Sequence, residues 1–164
     1  MPAEIWVGIG ICYFKLMNFI KAKFAFEHAL EIDPQNPMAL TSLGITEIAI
    51  NSSDGKQREK AVFLFQRSFE IDDTNPLTMK NLADHFFNCK ELEISGHLID
   101  RALKFSQNYP TTQLRSDLFF LKGKINHLKE NYNDALDSYF QCVKLNPNNY
   151  AAHFNKAKIH FMNN

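Results

Sequence analysis

Proline stands at fixed distances behind apolar-periodic segments, and that spacing restricts the fold more than any other feature of the chain. Pro34, Pro37, Pro76, Pro110 and Pro147 all lie at the ends of such segments, four of them directly after Asp or Asn. Proline fits the first turn of a helix but breaks its interior, so these positions mark helix boundaries. No stretch sustains the period-two alternation of a half-buried strand. Pro34 and Pro147 are 113 residues apart, which is three periods of 34 plus insertions of five and six residues. An all-α chain built from a repeated unit follows.

Within each period the same slots recur. The first segment carries Trp6, Ile9, Gly10 and Tyr13, then Ala22, Phe26, Ala29 and Pro34. The second carries Leu40, Leu43 and Gly44, then Ala61 and Phe65. Its helix-to-helix gap is five residues longer, and polar residues 51–57 are the place for the extra length. The third has Met79, Leu82, Ala83 and Phe86, then Ser95, Ile99 and Ala102. The fourth has Phe119 and Gly123, then Ala135, Tyr139, Cys142 and Pro147, after an extension around Pro110. This is the tetratricopeptide pattern, in which each unit is a pair of antiparallel helices. It implies a right-handed superhelical solenoid, a single array with units at 3–36, 37–75, 76–109 and 116–149 and a partial unit at 150–164. The apolar residues at its last helix, such as Phe154 and Phe161, make a slice of a longer array the expectation.

The small residues in these slots have a packing role. Gly10, Gly44, Ala83 and Gly123 let the second helix of a pair come close, and Ala22, Ala61 and Ala135 do so from the facing side. Trp6, Tyr13 and Phe26 are expected to fill the wedge between neighbouring units. A unit cannot bury its apolar face alone, so stacking supplies the core.

Chemistry is hard to find in the chain. Eighteen basic residues balance eighteen acidic ones, so no global field recruits nucleic acid. Cys12, Cys89 and Cys142 are an odd, widely spaced set that fits neither a disulfide framework nor zinc, and all three read as small buried hydrophobes in a reducing compartment. His153 and His160 are seven residues apart without an acidic ligand at helical spacing, so no metal is expected. No nucleophile context is present, and no cofactor or enzymatic activity is expected. The apolar run 5–14 is too short to cross a bilayer and lacks the flanks of a signal peptide, so the chain is read as not secreted. Asn51-Ser52-Ser53 is then a loop rather than a glycosylation site.

The inner wall is the expected working surface. The first helix of each unit lines a concave groove, and helical spacing places Glu4, Val7, Ile11 and Phe14 there, followed by Met38, Thr41, Ile45 and Ile48. Leu77, Lys80, Asp84 and Phe87 come next, then Asp117, Phe120, Lys124 and His127. The candidate partner-binding residues are Val7, Ile11, Phe14, Met38, Ile45, Ile48, Phe87 and Phe120, because an apolar strip of this kind marks a partner site. Neighbouring segments of a longer chain are the alternative occupants. Arrays that grip a C-terminal carboxylate use Lys, Asn and Arg on this wall. Val7, Ile11, Leu77 and Asn81 occupy those slots here, which disfavours that function. Residues 1–100 carry nine Lys/Arg against fourteen Asp/Glu, and 101–164 carry nine against four. The basic end leaves RNA binding as an alternative function.

A closer resemblance lies in three stretches. Residues 8–16 read GIGICYFKL and lead to Ala29-Leu30-Glu31. The extended gap after Ile50 is the second stretch. The third is Ile71-Asp72, then Asn75-Pro76 and Asn81-Leu82-Ala83-Asp84-His85-Phe86-Phe87. Together they resemble the tetratricopeptide scaffold subunits of the Paf complex, which accompanies RNA polymerase II during elongation. The resemblance implies a nuclear, non-catalytic scaffold whose partners are other Paf subunits and the polymerase, linked to chromatin modification. Without it, a generic cytoplasmic tetratricopeptide adaptor is the reading.

Overall fold

The computed structural model describes residues 1–51, 54–109 and 111–162, so Ser52, Ser53 and Pro110 lie outside the described residues. Among these, nine α-helices and no strand are present. They are α1 (Ala3–Lys15), α2 (Phe19–Ile32), α3 (Pro37–Ile50), α4 (Gly55–Ile71), α5 (Pro76–Asn88), α6 (Leu92–Phe105), α7 (Thr112–Leu128), α8 (Tyr132–Leu145) and α9 (Tyr150–Met162). A short 3-10 turn, Ser106–Asn108, follows α6. No described helix is long and apolar enough to cross a membrane. The chain forms two compact units, residues 1–82 and 83–164, divided within α5.

The boundaries are made by local chemistry. Pro37 and Pro76 open α3 and α5, where a missing N–H costs nothing. The side chains of Asn36 and Asn149 accept from the amides of Ala39 and Ala152. Asn75 accepts from Leu77 and Thr78 in the same way. Before each of these caps, Asp33, Asp72 or Asn146 folds the chain by accepting from the amide two residues on. Pro34 and Pro147 sit inside these turns.

The turn within a pair is built differently. Met17, Lys90 and Glu130 have φ of 60°, 67° and 62°. The following amides, of Asn18, Glu91 and Asn131, reach back to the carbonyls of Tyr13, Phe86 and Asn126. These are Schellman caps, and they recur at one position of the first, third and fourth pairs.

Packing within a pair runs through the glycine slots. A Cβ on Gly44 would lie 2.6 Å from the ring of Phe65, and one on Gly123 would lie 2.5 Å from Tyr139. Gly10 is covered by Phe26 in the same way. Each aromatic residue comes from the second helix of the same pair. Phe26 fills the slot that the glycine opposite opens inside its own pair, and it also shares a core cluster with Leu40 and Leu43 of the next pair.

Two further expectations change. The extra length of the second unit is not all loop, since α4 starts at Gly55 and places Gln57 in helix; Asp54 caps it through the amide of Lys56. Cys142 is buried, and burial pushes its thiol up, but Cys12 and Cys89 are exposed. Cys12 stands on the solvent face of α1, and Cys89 follows the last turn of α5.

Candidate functional site

The first helices of the pairs, α1, α3, α5, α7 and α9, carry the candidate partner surface. In the first unit α1 and α3 touch directly. Ile11 is 36 % exposed and Met38 is 37 % exposed. Ile45 and Ile48 are half-buried on α3. Phe14 is half-buried too, held by the ring of Phe19 at 5.2 Å between centres and packed on the core. These five side chains keep apolar surface at the solvent boundary.

Val7 does not. It is 6 % exposed and belongs to the core formed with Ala3, Ala22, Phe26, Leu40 and Leu43. Thr41, in the same slot of the next pair, is fully buried as well. Its Oγ1 lies 2.8 Å from Ser68 Oγ and 2.7 Å from Thr78 Oγ1. Ser68 also donates to the carbonyl of Pro37 at 2.9 Å. This hydroxyl cluster ties α3, α4 and α5 together. Helical spacing placed both residues on the open wall, but a neighbouring helix covers that slot in the first unit. Helical phase reports which way a side chain points and not whether another helix stands there.

The second unit brings Phe87 and Phe120 together through a cation. Lys124 Nζ lies 4.4 Å from the Phe87 ring centre and 5.4 Å from that of Phe120. Both rings are half-buried. His127 packs edge-on against Tyr132 at 5.9 Å.

Sequence reasoning missed Glu47. This carboxylate is fully buried on α3 and is met by Lys23 of α2 at 3.1 Å and by Lys60 of α4. Burial pulls its pKa up, but the hydrogen bonds and charges of Lys60 and Lys23 outweigh that and hold the carboxyl below its ordinary value of 4.5. Glu47 is the one charged residue of α3, and that was the available signal.

An apolar surface on α1 and α2 was missed too. Ile5, Leu16, Met17, Ile20 and Phe24 are all exposed. Leu16–Ile20 and Ile50 line a depression of about 470 Å³. Asp72 accepts from the amide of Thr74, and Glu93 meets Lys129 at 2.8 Å. His153 lies 3.0 Å from the Pro147 carbonyl. Among the described residues no three His, Cys, Asp or Glu side chains gather where a metal ion would sit.

Comparison with known proteins gives this surface its context. The tetratricopeptide repeat family matches residues 3–36 and, in a second form, residues 116–149. The RNA polymerase-associated protein CTR9 of Caenorhabditis elegans is 32 % identical over 99 % of this chain and 14 % of its own length. The CTR9 homolog of Arabidopsis thaliana is 32 % identical over 90 % of this chain and 13 % of its own. The chain thus spans about one seventh of the curated relatives it matches. Among solved structures, Pseudomonas aeruginosa PilF superposes with a TM-score of 0.79 at 19 % identity, over 98 % of this chain and 68 % of that one, a likeness of fold alone. With its glycine slots, Schellman turns and paired helices, the chain is a tetratricopeptide-repeat protein that resembles, along nearly its whole length, part of the CTR9 proteins.

Proposed function

We propose that the chain is a non-catalytic protein–protein interaction scaffold, acting in the nucleus as part of a Paf-like complex with RNA polymerase II and chromatin modification. The observation that carries this reading is the match to the CTR9 proteins over 99 % and 90 % of the chain. The repeats work as one array in this reading, and the first-helix faces receive partners. Ile11, Phe14, Met38, Ile45 and Ile48 offer apolar anchors of the kind that dominate interface energetics. Affinity purification of the tagged protein from its source cell, read by mass spectrometry, tests the assignment. Recovery of Paf subunits and polymerase is the expected result. Recovery of chaperones without them would overturn it.

A further inference from the structure

The second helices of the pairs carry one outward seam. Its slots are spaced four, three and four residues apart, the interval that keeps side chains in line along a helix. On α2 they hold Ile20, Phe24, Glu27 and Glu31, and on α4 Glu59, Phe63, Gln66 and Glu70. On α6 the same slots hold Glu93, His97, Asp100 and Lys104, and on α8 Asn133, Asp137, Phe140 and Lys144. Every one of these positions is exposed. α8 packs on both α7 and α9 and still leaves its four in solvent, so stacking does not cover the seam. Ile5 on α1 differs, because its slot in the next pair is the fully buried Ala39.

In the first compact unit the seam is aromatic and acidic. Phe24 is 65 % exposed and Phe63 is 58 % exposed. Cations beside them are engaged elsewhere. Lys23 and Lys60 meet on buried Glu47, Arg67 donates to the Pro34 carbonyl at 3.2 Å, and Lys21 lies 5.5 Å from the Tyr13 ring centre. The carboxylate shared by Lys23 and Lys60 also ties α2 to α4 next to the two rings. Glu27 and Glu31 keep only exposed pairs, with Lys23 at 3.9 Å and with His28 at 2.7 Å, and such pairs are worth little. The last slot is Glu31 and Glu70 here but Lys104 and Lys144 in the second unit, where Lys156 lies over the Phe140 ring at 5.4 Å.

We infer that the seam of α2 and α4 docks a basic amphipathic helix of a partner protein, with apolar residues on Phe24 and Phe63 and Lys or Arg beside Glu27, Glu31, Glu59 and Glu70. The two rings stand where other pairs carry His97 and Asp137, so the repeat does not demand them and their exposure marks a contact surface. A helix fits because a stripe that repeats at the same four-and-three interval stays in line with the seam. The partner is basic because the carboxylates at this surface are the charge it has to match. The assignment concerns the second helices and goes beyond the first-helix faces of the proposed function.

The test uses the full chain and an amidated, fluorescein-labelled peptide of repeated Leu-Ala-Ala-Leu-Lys-Ala-Lys heptads, read by anisotropy. The expected result is saturable binding that weakens with salt. It also weakens roughly tenfold in Phe24→Ser/Phe63→Ser, in Glu31→Lys/Glu70→Lys and with a peptide carrying Glu in place of Lys. The substituted residues are exposed, and lysine already fills the last slot at Lys104 and Lys144, so circular dichroism should be unchanged. Equal affinity in the seam variants, equal affinity for the Glu peptide, or no binding by the unaltered chain would each overturn the inference. So would a dimer of the unaltered chain in sedimentation that Phe24→Ser/Phe63→Ser abolishes, since the seam would then belong to a second copy. Ile11→Asp/Ile45→Asp should bind the peptide as the native chain does. Loss of the peptide there would move it to the first-helix face and overturn the inference too. If the peptide fails on the unaltered chain while partner capture still depends on Ile11 and Ile45, this assignment falls and the proposed function stands.

Discussion

Two glycines of α1, two residues apart, are predicted to respond oppositely to the same change. Gly10 lies under the Phe26 ring, whereas a Cβ on Gly8 would meet nothing within 4 Å. Alanine stabilises a helix interior relative to glycine by about 0.5–1 kcal/mol, so Gly8→Ala should raise the Tm. In Gly10→Ala the added methyl must push a fully buried ring, and overpacking costs about 1–3 kcal/mol, so the Tm should fall. Equal shifts in the two variants would contradict the close-approach reading. Glu47 gives a second test at this scale. Its folded pKa is depressed below the unfolded value, so its stabilisation is complete above about pH 4.5 and is lost as pH falls through the folded pKa. Denaturant unfolding of the native chain should therefore lose more stability between about pH 7 and pH 3 than that of Glu47→Gln. Parallel losses would show that the triad contributes nothing. Removing both lysines at neutral pH leaves a buried charge uncompensated, at a cost of about 3–5 kcal/mol.

The elements were largely legible because each one is bounded by a residue with a single job. Asn before proline caps α3 and α5, and the glycine slots receive Phe26, Phe65 and Tyr139. The turns within pairs were not legible. Met17, Lys90 and Glu130 hold left-handed backbone with ordinary side chains, and nothing in their identity announces it. Glycine at such a site removes the steric cost, so Glu130→Gly should stabilise the chain by about 0.5–1 kcal/mol in denaturant unfolding. A loss of stability would count against the cap geometry. The candidate site was half legible for a related reason. Periodicity placed Ile11, Met38 and Ile45 on a face that remains open. It placed Val7 and Thr41 there too, where burial among α2, α3, α4 and α5 is decided by contacts remote in sequence. The partners of Glu47 were not legible because Lys23 and Lys60 are contributed by different helices.

For the whole molecule, the zero net charge conceals two different surfaces. The first helices α1 and α3 offer apolar side chains, and the second helices α2 and α4 offer phenylalanines beside glutamates. A scaffold that engages more than one partner needs distinct faces of this kind, because specificity is a difference of affinities. In the proposed function the first-helix face captures protein. Quantitative capture by the immobilised native chain and by Ile11→Asp/Ile45→Asp, matched for helicity by circular dichroism, tests it most directly. The variant is expected to lose the polymerase-associated partners recovered by the native chain. Equal recovery by two chains of equal helicity would contradict it.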